Sequence, residues 1–165
     1  MRDGFIRVAA GTPSVRVADC RYNAEQIFTM MREAESQGVK ILVLPELCLT
    51  GYTCADLFLH DTLLDGAVDG LRTVLEATRN LEVLTALGMP VRAGGKLFNC
   101  AVVIQKGEVL AVVPKHNIPG HGEFAESRWF APGSETLYQE LTARMPSLID
   151  EDGFEEIPLE STLID

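Results

Sequence analysis

At 165 residues the chain is the size of one domain, and its 47% hydrophobic content is ordinary for a globular protein. The net charge of −10, from 24 acids against 14 bases, argues against non-specific nucleic-acid binding, which needs a basic face. No apolar run approaches the roughly 20 residues of a membrane span, and the opening MRDGFIRVAAG lacks the basic-then-apolar order of a signal peptide; a cytoplasmic location is expected.

Residues 5–10 read as a first strand, ended by Gly11, Thr12 and Pro13. A helix is predicted over 20–37: Asp19 precedes it, Ile27, Met30, Met31 and Ala34 share one face, and Gly38 follows as a C-cap. The strand 39–44 comes next, an unbroken run stopped by Pro45, as expected of a strand buried on both faces. Strand, helix, strand implies a parallel pair with a right-handed crossover. A second helix is predicted over 63–78, with Leu64, Ala67, Val68, Leu71, Val74 and Leu75 inward, then a third strand over 81–91. Gly94 and Gly95 turn the chain into a hairpin, and strands 97–105 and 108–113 form another around Lys106 and Gly107. The order β-α-β-α-β-β-β gives an α/β fold with a mixed sheet.

Residues 114–133 read as a long loop, and long loops are commonly functional. In the acidic stretch 134–165 only Leu137 and Leu141 suggest a helical turn, so a poorly ordered tail is expected. Cys20, Cys48, Cys54 and Cys100 form no CxxC pair and read as free buried thiols. No zinc set is expected from them, and none from His60, His116 and His121.

Two ionisable residues stand at strand ends. Glu46 follows the strand 39–44, and Lys115 follows 108–113. Ligands of open α/β sheets sit outside the carboxyl ends of strands. Glu46 either pairs with a base or has chemistry to do; Lys115 is either solvated or shares a site with Glu46. In HGEFAESRWF, Glu123 and Glu126 are further candidates, with Glu126 open to pairing with Arg128 instead. Tyr52 and Phe124 are either pocket walls or ordinary core.

The segment LPELCLTGY resembles the glutamate motif of the nitrilase, or carbon–nitrogen hydrolase, superfamily. IRVAAGTPSVRVAD, LFLHDTLL, LFNCAVVIQKGEVLAVVPK and EFAESRWFAPG narrow the resemblance to the amino-terminal glutaminase domains of bacterial glutamine-dependent NAD synthetases, over residues 4–133. The resemblance implies a nitrilase-like α-β-β-α sandwich, present here in part. It implies hydrolysis of glutamine, whose ammonia serves the ATP-dependent synthesis of NAD from nicotinic acid adenine dinucleotide.

In that resemblance Glu46 is the general base and Lys115 holds the oxyanion. Glu123, eight residues after Lys115, takes the place of a second, supporting glutamate and ranks above Glu126. His121 departs from the tyrosine usual in a KxxLPNY pattern, the chain reading KHNIPGH. No cysteine stands in the GxxICxD-like context of the superfamily nucleophile, so residues 1–165 read as the first part of such a domain, ending before its cysteine, and as inactive alone. No cofactor is expected in this chain; ATP and Mg²⁺ belong to a synthetase domain of the same polypeptide. A homo-oligomer is expected, through the apolar residues of 97–113. Two alternatives remain: a stand-alone amidase of the superfamily, and a non-catalytic α/β module used for subunit contacts.

Overall fold

The computed structural model describes residues 4–122 and 124–150. The chain runs β1 (Val8–Ala10), α1 (Cys20–Ser36), β2 (Ile41–Val43), α2 (Asp61–Ala77), β3 (Leu84–Ala93), β4 (Lys96–Gln105), β5 (Glu108–Pro114) and α3 (Glu135–Asp150). The strands form one sheet in the order β1-β2-β3-β4-β5. The first three run parallel and the last two join by antiparallel pairing, so β5 runs in the same direction as β2 and both end at the same edge.

Local chemistry accounts for these elements. The Asp19 carboxylate caps α1 by accepting the Tyr22 N–H at 3.1 Å. Ile27, Met31 and Ala34 are buried, the face expected from their spacing. All six inward residues expected of α2 are buried too. The β4–β5 turn places both Lys106 (φ 53°) and Gly107 (φ 77°) in the left-handed region, as a two-residue hairpin requires. β1 is shorter than the expected 5–10, because its pairing to β2 begins at Val8; Phe5 and Ile6 lie outside the register and are exposed.

The two faces of the sheet differ. Leu42, Leu87, Val102, Ile104 and Val112 enter the core with α1 and α2. On the other face the pairs Ala10–Val43, Val43–Ala86, Ala86–Val103 and Ala101–Val113 make an apolar surface without a covering layer among the described residues. Val8 is 61% exposed, Val43 50% and Val113 43%.

Helix α3 corrects the expectation of a poorly ordered segment from 134. Leu137, Leu141 and Met145 recur at helical spacing and are buried. The helix lies along β5, where the Thr142 hydroxyl accepts the Val112 N–H at 2.9 Å. The β5 edge of the sheet is thus partly satisfied by a side chain. The remainder of the acidic stretch, 151–165, lies outside the described residues. Among the described residues no helix is long and apolar enough to cross a membrane.

Candidate active site

The chain leaves β2 at Leu44, whose N–H donates to Ala86 O, and Pro45 ends the strand. A tight loop follows. Thr50 and Gly51 N–H both return to Leu47 O, at 3.1 and 2.7 Å, and Leu49 N–H donates to Gly88 O at 3.1 Å. Leu47 adopts φ 51°, a conformation that costs a branched residue roughly 1–2 kcal/mol. Its complete burial and these hydrogen bonds offset that cost. The loop lies so close to β3 that a Cβ on Gly88 would sit 2.3 Å from Leu47 N and 2.7 Å from Pro45 O. Glycine at 88 therefore lets the Glu46 backbone rest directly on the sheet.

At that edge five side chains meet among the described residues. The Lys115 ammonium lies 3.0 and 2.8 Å from Glu46 Oε1 and Oε2, and 3.1 and 3.2 Å from Glu126 Oε1 and Oε2. The Tyr52 hydroxyl donates to Glu126 Oε1 at 2.6 Å. The Asn99 amide donates to Glu46 Oε2 at 3.2 Å and to Glu126 Oε2 at 3.4 Å. Asn99 itself sits on β4, and its carbonyl accepts the Lys115 N–H at 2.7 Å, so strand pairing fixes base and amide side by side.

The two carboxylates are not equivalent. The Glu126 side chain is 4% exposed and all its oxygens are engaged. The Glu46 side chain is 52% exposed. Its Oε2 accepts from Lys115 and Asn99 while Oε1 accepts from Lys115 alone, which leaves Oε1 with a lone pair to spare. Glu126 is thus held on both oxygens, and Glu46 is the carboxylate that keeps an acceptor site turned to solvent. Burial works against the charged Lys115, but hydrogen bonds to Glu46 and Glu126 outweigh it and raise its pKa above the ordinary lysine value. Burial and the Glu126 hydrogen bond push the Tyr52 hydroxyl up to about 12. At neutral pH the cluster presents an ammonium and a protonated phenol.

A hollow of about 270 Å³ starts at Glu46, Asn99 and Lys115 and continues down the open sheet face past Val43, Ala86, Ala101 and Val113. A second, of about 210 Å³, lies behind Tyr52 and Glu126 among Leu47, Phe58, Trp129 and Phe130.

Several sequence expectations change here. Glu126 reaches Lys115, whereas Glu123, ranked above it in the sequence, lies outside the described residues. Arg128 does not pair with Glu126 but with Asp56, Nε to Oδ1 at 2.8 Å and Nη2 to Oδ2 at 2.9 Å. His121 and Phe124 are exposed, line neither hollow, and have no side-chain hydrogen bond to the cluster. Tyr52 reaches the cluster through its hydroxyl. Asn99 was missed, because an asparagine inside an apolar strand carries no motif; its one signal is polarity at a position where β4 is otherwise buried.

All four cysteines are buried and free. Cys48 turns away from Glu46, its Sγ 3.7 Å from Gly88 O, and burial pushes its thiol up to about 11. Cys20 is pushed up to about 12 by burial, and Cys54 and Cys100 are raised by the same cause. Strand alternation turns Cys100 to the face opposite Asn99. None of these thiols is poised as a thiolate.

The carbon-nitrogen hydrolase family model matches residues 7–159. The chain belongs to the carbon–nitrogen hydrolase family. Within that family it is similar to the glutamine-dependent NAD(+) synthetase of Mycobacterium tuberculosis, 40% identical over 130 residues, which are 79% of this chain and 19% of that protein. The synthetase of Thermotoga maritima is 34% identical over 132 residues, 80% of this chain and 23% of the relative. The chain thus spans about a fifth of the length of the curated relatives it matches. Among solved structures, the glutamine-dependent NAD(+) synthetase of Cytophaga hutchinsonii aligns with a TM-score of 0.68 at 30% identity, over 79% of this chain and 22% of that one. A nitrilase-superfamily amidase from Nesterenkonia aligns with a TM-score of 0.69 at 23% identity, over 82% of this chain and 51% of that one, which speaks for the fold alone. The carbon–nitrogen hydrolase fold is therefore present here in part, as a mixed five-stranded sheet with helices on one face.

Proposed function

We propose that the chain is the amino-terminal part of a glutamine amidohydrolase domain, whose ammonia serves NAD synthesis in a longer polypeptide. The observation that carries this reading is the pairing of Glu46 with Lys115, buttressed by Glu126 and Asn99, at one sheet edge of a chain 40% identical over 130 residues to a glutamine-dependent NAD(+) synthetase. In this reading Glu46 takes the proton of a cysteine thiol. The thiolate attacks the carboxamide carbon of glutamine, and Lys115 stabilises the oxyanion. Glu46 then returns the proton to the departing nitrogen, which leaves as ammonia; water opens the thioester to give glutamate.

The nucleophile comes from outside the described residues. The hollow on the open sheet face begins at Glu46 and Lys115, so a covering layer that carried a thiol there would complete the site. An amidase sharing the fold is recorded with an active site cysteine, which fits that arrangement. ATP and Mg²⁺ act in a synthetase domain, outside this chain. A cytoplasmic location and a homo-oligomeric parent belong to the same reading.

The test is ammonia release from glutamine. The 165-residue chain should release none, and a polypeptide extended past Asp165 to include the synthetase portion should release it. Turnover by the 165 residues alone, abolished by Cys48→Ala or Cys100→Ala, would overturn the assignment.

A further inference from the structure

The Glu46 carboxylate is half exposed, and the ammonium that binds it sits on a flexible four-carbon stem. A lysine attracts a carboxylate as a point charge and does not set its rotation. Asn99 is different. It is 3% exposed and anchored in β4, and its carbonyl is bonded to Lys115 N–H. Its planar amide carries two N–H donors at a fixed angle. One oxygen of Glu46 and one of Glu126 lie within reach of that nitrogen, at 3.2 and 3.4 Å.

We infer that Asn99 is a positioning residue for the base: it divides its two N–H donors between the glutamates and thereby fixes Oε1 of Glu46 as the oxygen that accepts the thiol proton. The inference rests on the proposed role of Glu46. Asn99 touches neither the thiol nor the amide; it acts by holding Oε2. It also separates two like charges with a neutral donor, so both can crowd one ammonium.

The first measurement needs no reaction. In the ¹⁵N-labelled 165-residue chain, both Asn99 side-chain amide protons should lie downfield of free asparagine and exchange slowly. Glu46→Gln should move one of them and Glu126→Gln the other. If neither proton responds, or both respond only to one substitution, the divided amide is wrong. The second measurement uses the extended polypeptide that releases ammonia from glutamine. Asn99→Ala should lower kcat by roughly 10–100-fold, the scale of a misplaced catalytic group, while KM for glutamine stays within about two-fold, since no substrate contact is lost.

Asn99→Asp separates positioning from packing. It preserves shape but sets a third carboxylate against two, so it should be slower than Asn99→Ala; Asn99→Ser, with one donor, should fall between Ala and wild type. An Asp variant as active as wild type beside an impaired Ala variant would make Asn99 a packing residue and overturn the inference. If the extended polypeptide releases no ammonia, the glutamine reading fails, and the amide-proton experiment still decides whether Asn99 bridges the carboxylates.

Discussion

Glu46 and Glu126 share one ammonium, yet their removal should have very different effects on folding. Glu126 is buried, and its loss leaves the Tyr52 hydroxyl and an Asn99 N–H without that acceptor and Lys115 with Glu46 as its remaining carboxylate. Two donors left unsatisfied, together with the lost ion pair, cost about 3–5 kcal/mol. At about 2–4 °C per kcal/mol for a chain of this size, Glu126→Ala should lower Tm by roughly 6–20 °C. Glu126→Gln keeps the shape and an acceptor for Tyr52 but loses the charge, and should cost about 1.5–3 kcal/mol. Glu46 is half exposed, so water replaces what its removal takes away, and Glu46→Ala should cost less than about 1 kcal/mol. Urea titration of the three variants, followed by far-UV circular dichroism, measures all of this. Equal losses for Glu46→Ala and Glu126→Ala, or a loss under about 1 kcal/mol for Glu126→Ala, would refute the division into a buried, fully bonded carboxylate and an exposed one.

Gly88→Ala should destabilise the chain by about 1–3 kcal/mol, because a methyl there meets the backbone at 45–47 rather than a yielding side chain; a neutral substitution by urea titration would show that the loop does not rest on β3 as described. The Tyr52 hydroxyl favours its protonated form in the folded state, so its contribution is fully present below the ordinary tyrosine value of 10.0 and is lost as pH rises through about 12. Tyr52→Phe should therefore reduce the loss of stability between those values, and tyrosinate absorbance of the native chain should show one late-titrating ring that the variant lacks. The apolar face at Val43, Ala101 and Val113 should drive self-association, and Val113→Lys should shift the chain towards monomer in light scattering; a monomer at high concentration before the substitution would refute this.

The sequence alone determined the local layout. Helical spacing in α1 and α2, the apolar run before Pro45 and the Lys106–Gly107 turn are short-range signals, set by side-chain period and turn geometry. They also placed Glu46 and Lys115 at strand ends, and the parallel direction of β2 and β5 put those ends together. Helix α3 was under-read because Pro146 and the acids around it masked a spacing that makes sense only against β5. The inward turn of Glu126, and the part of Asn99, belong to the tertiary structure. Tyr52 and Glu126 are 74 residues apart, and Asn99 and Glu46 are 53 apart. Loop residues between 114 and 133 carry no period, so whether Glu126 turns inward depends on where that loop meets the sheet. A buried carboxylate is stable only where donors already stand, and strand pairing sets Lys115 and Asn99 there.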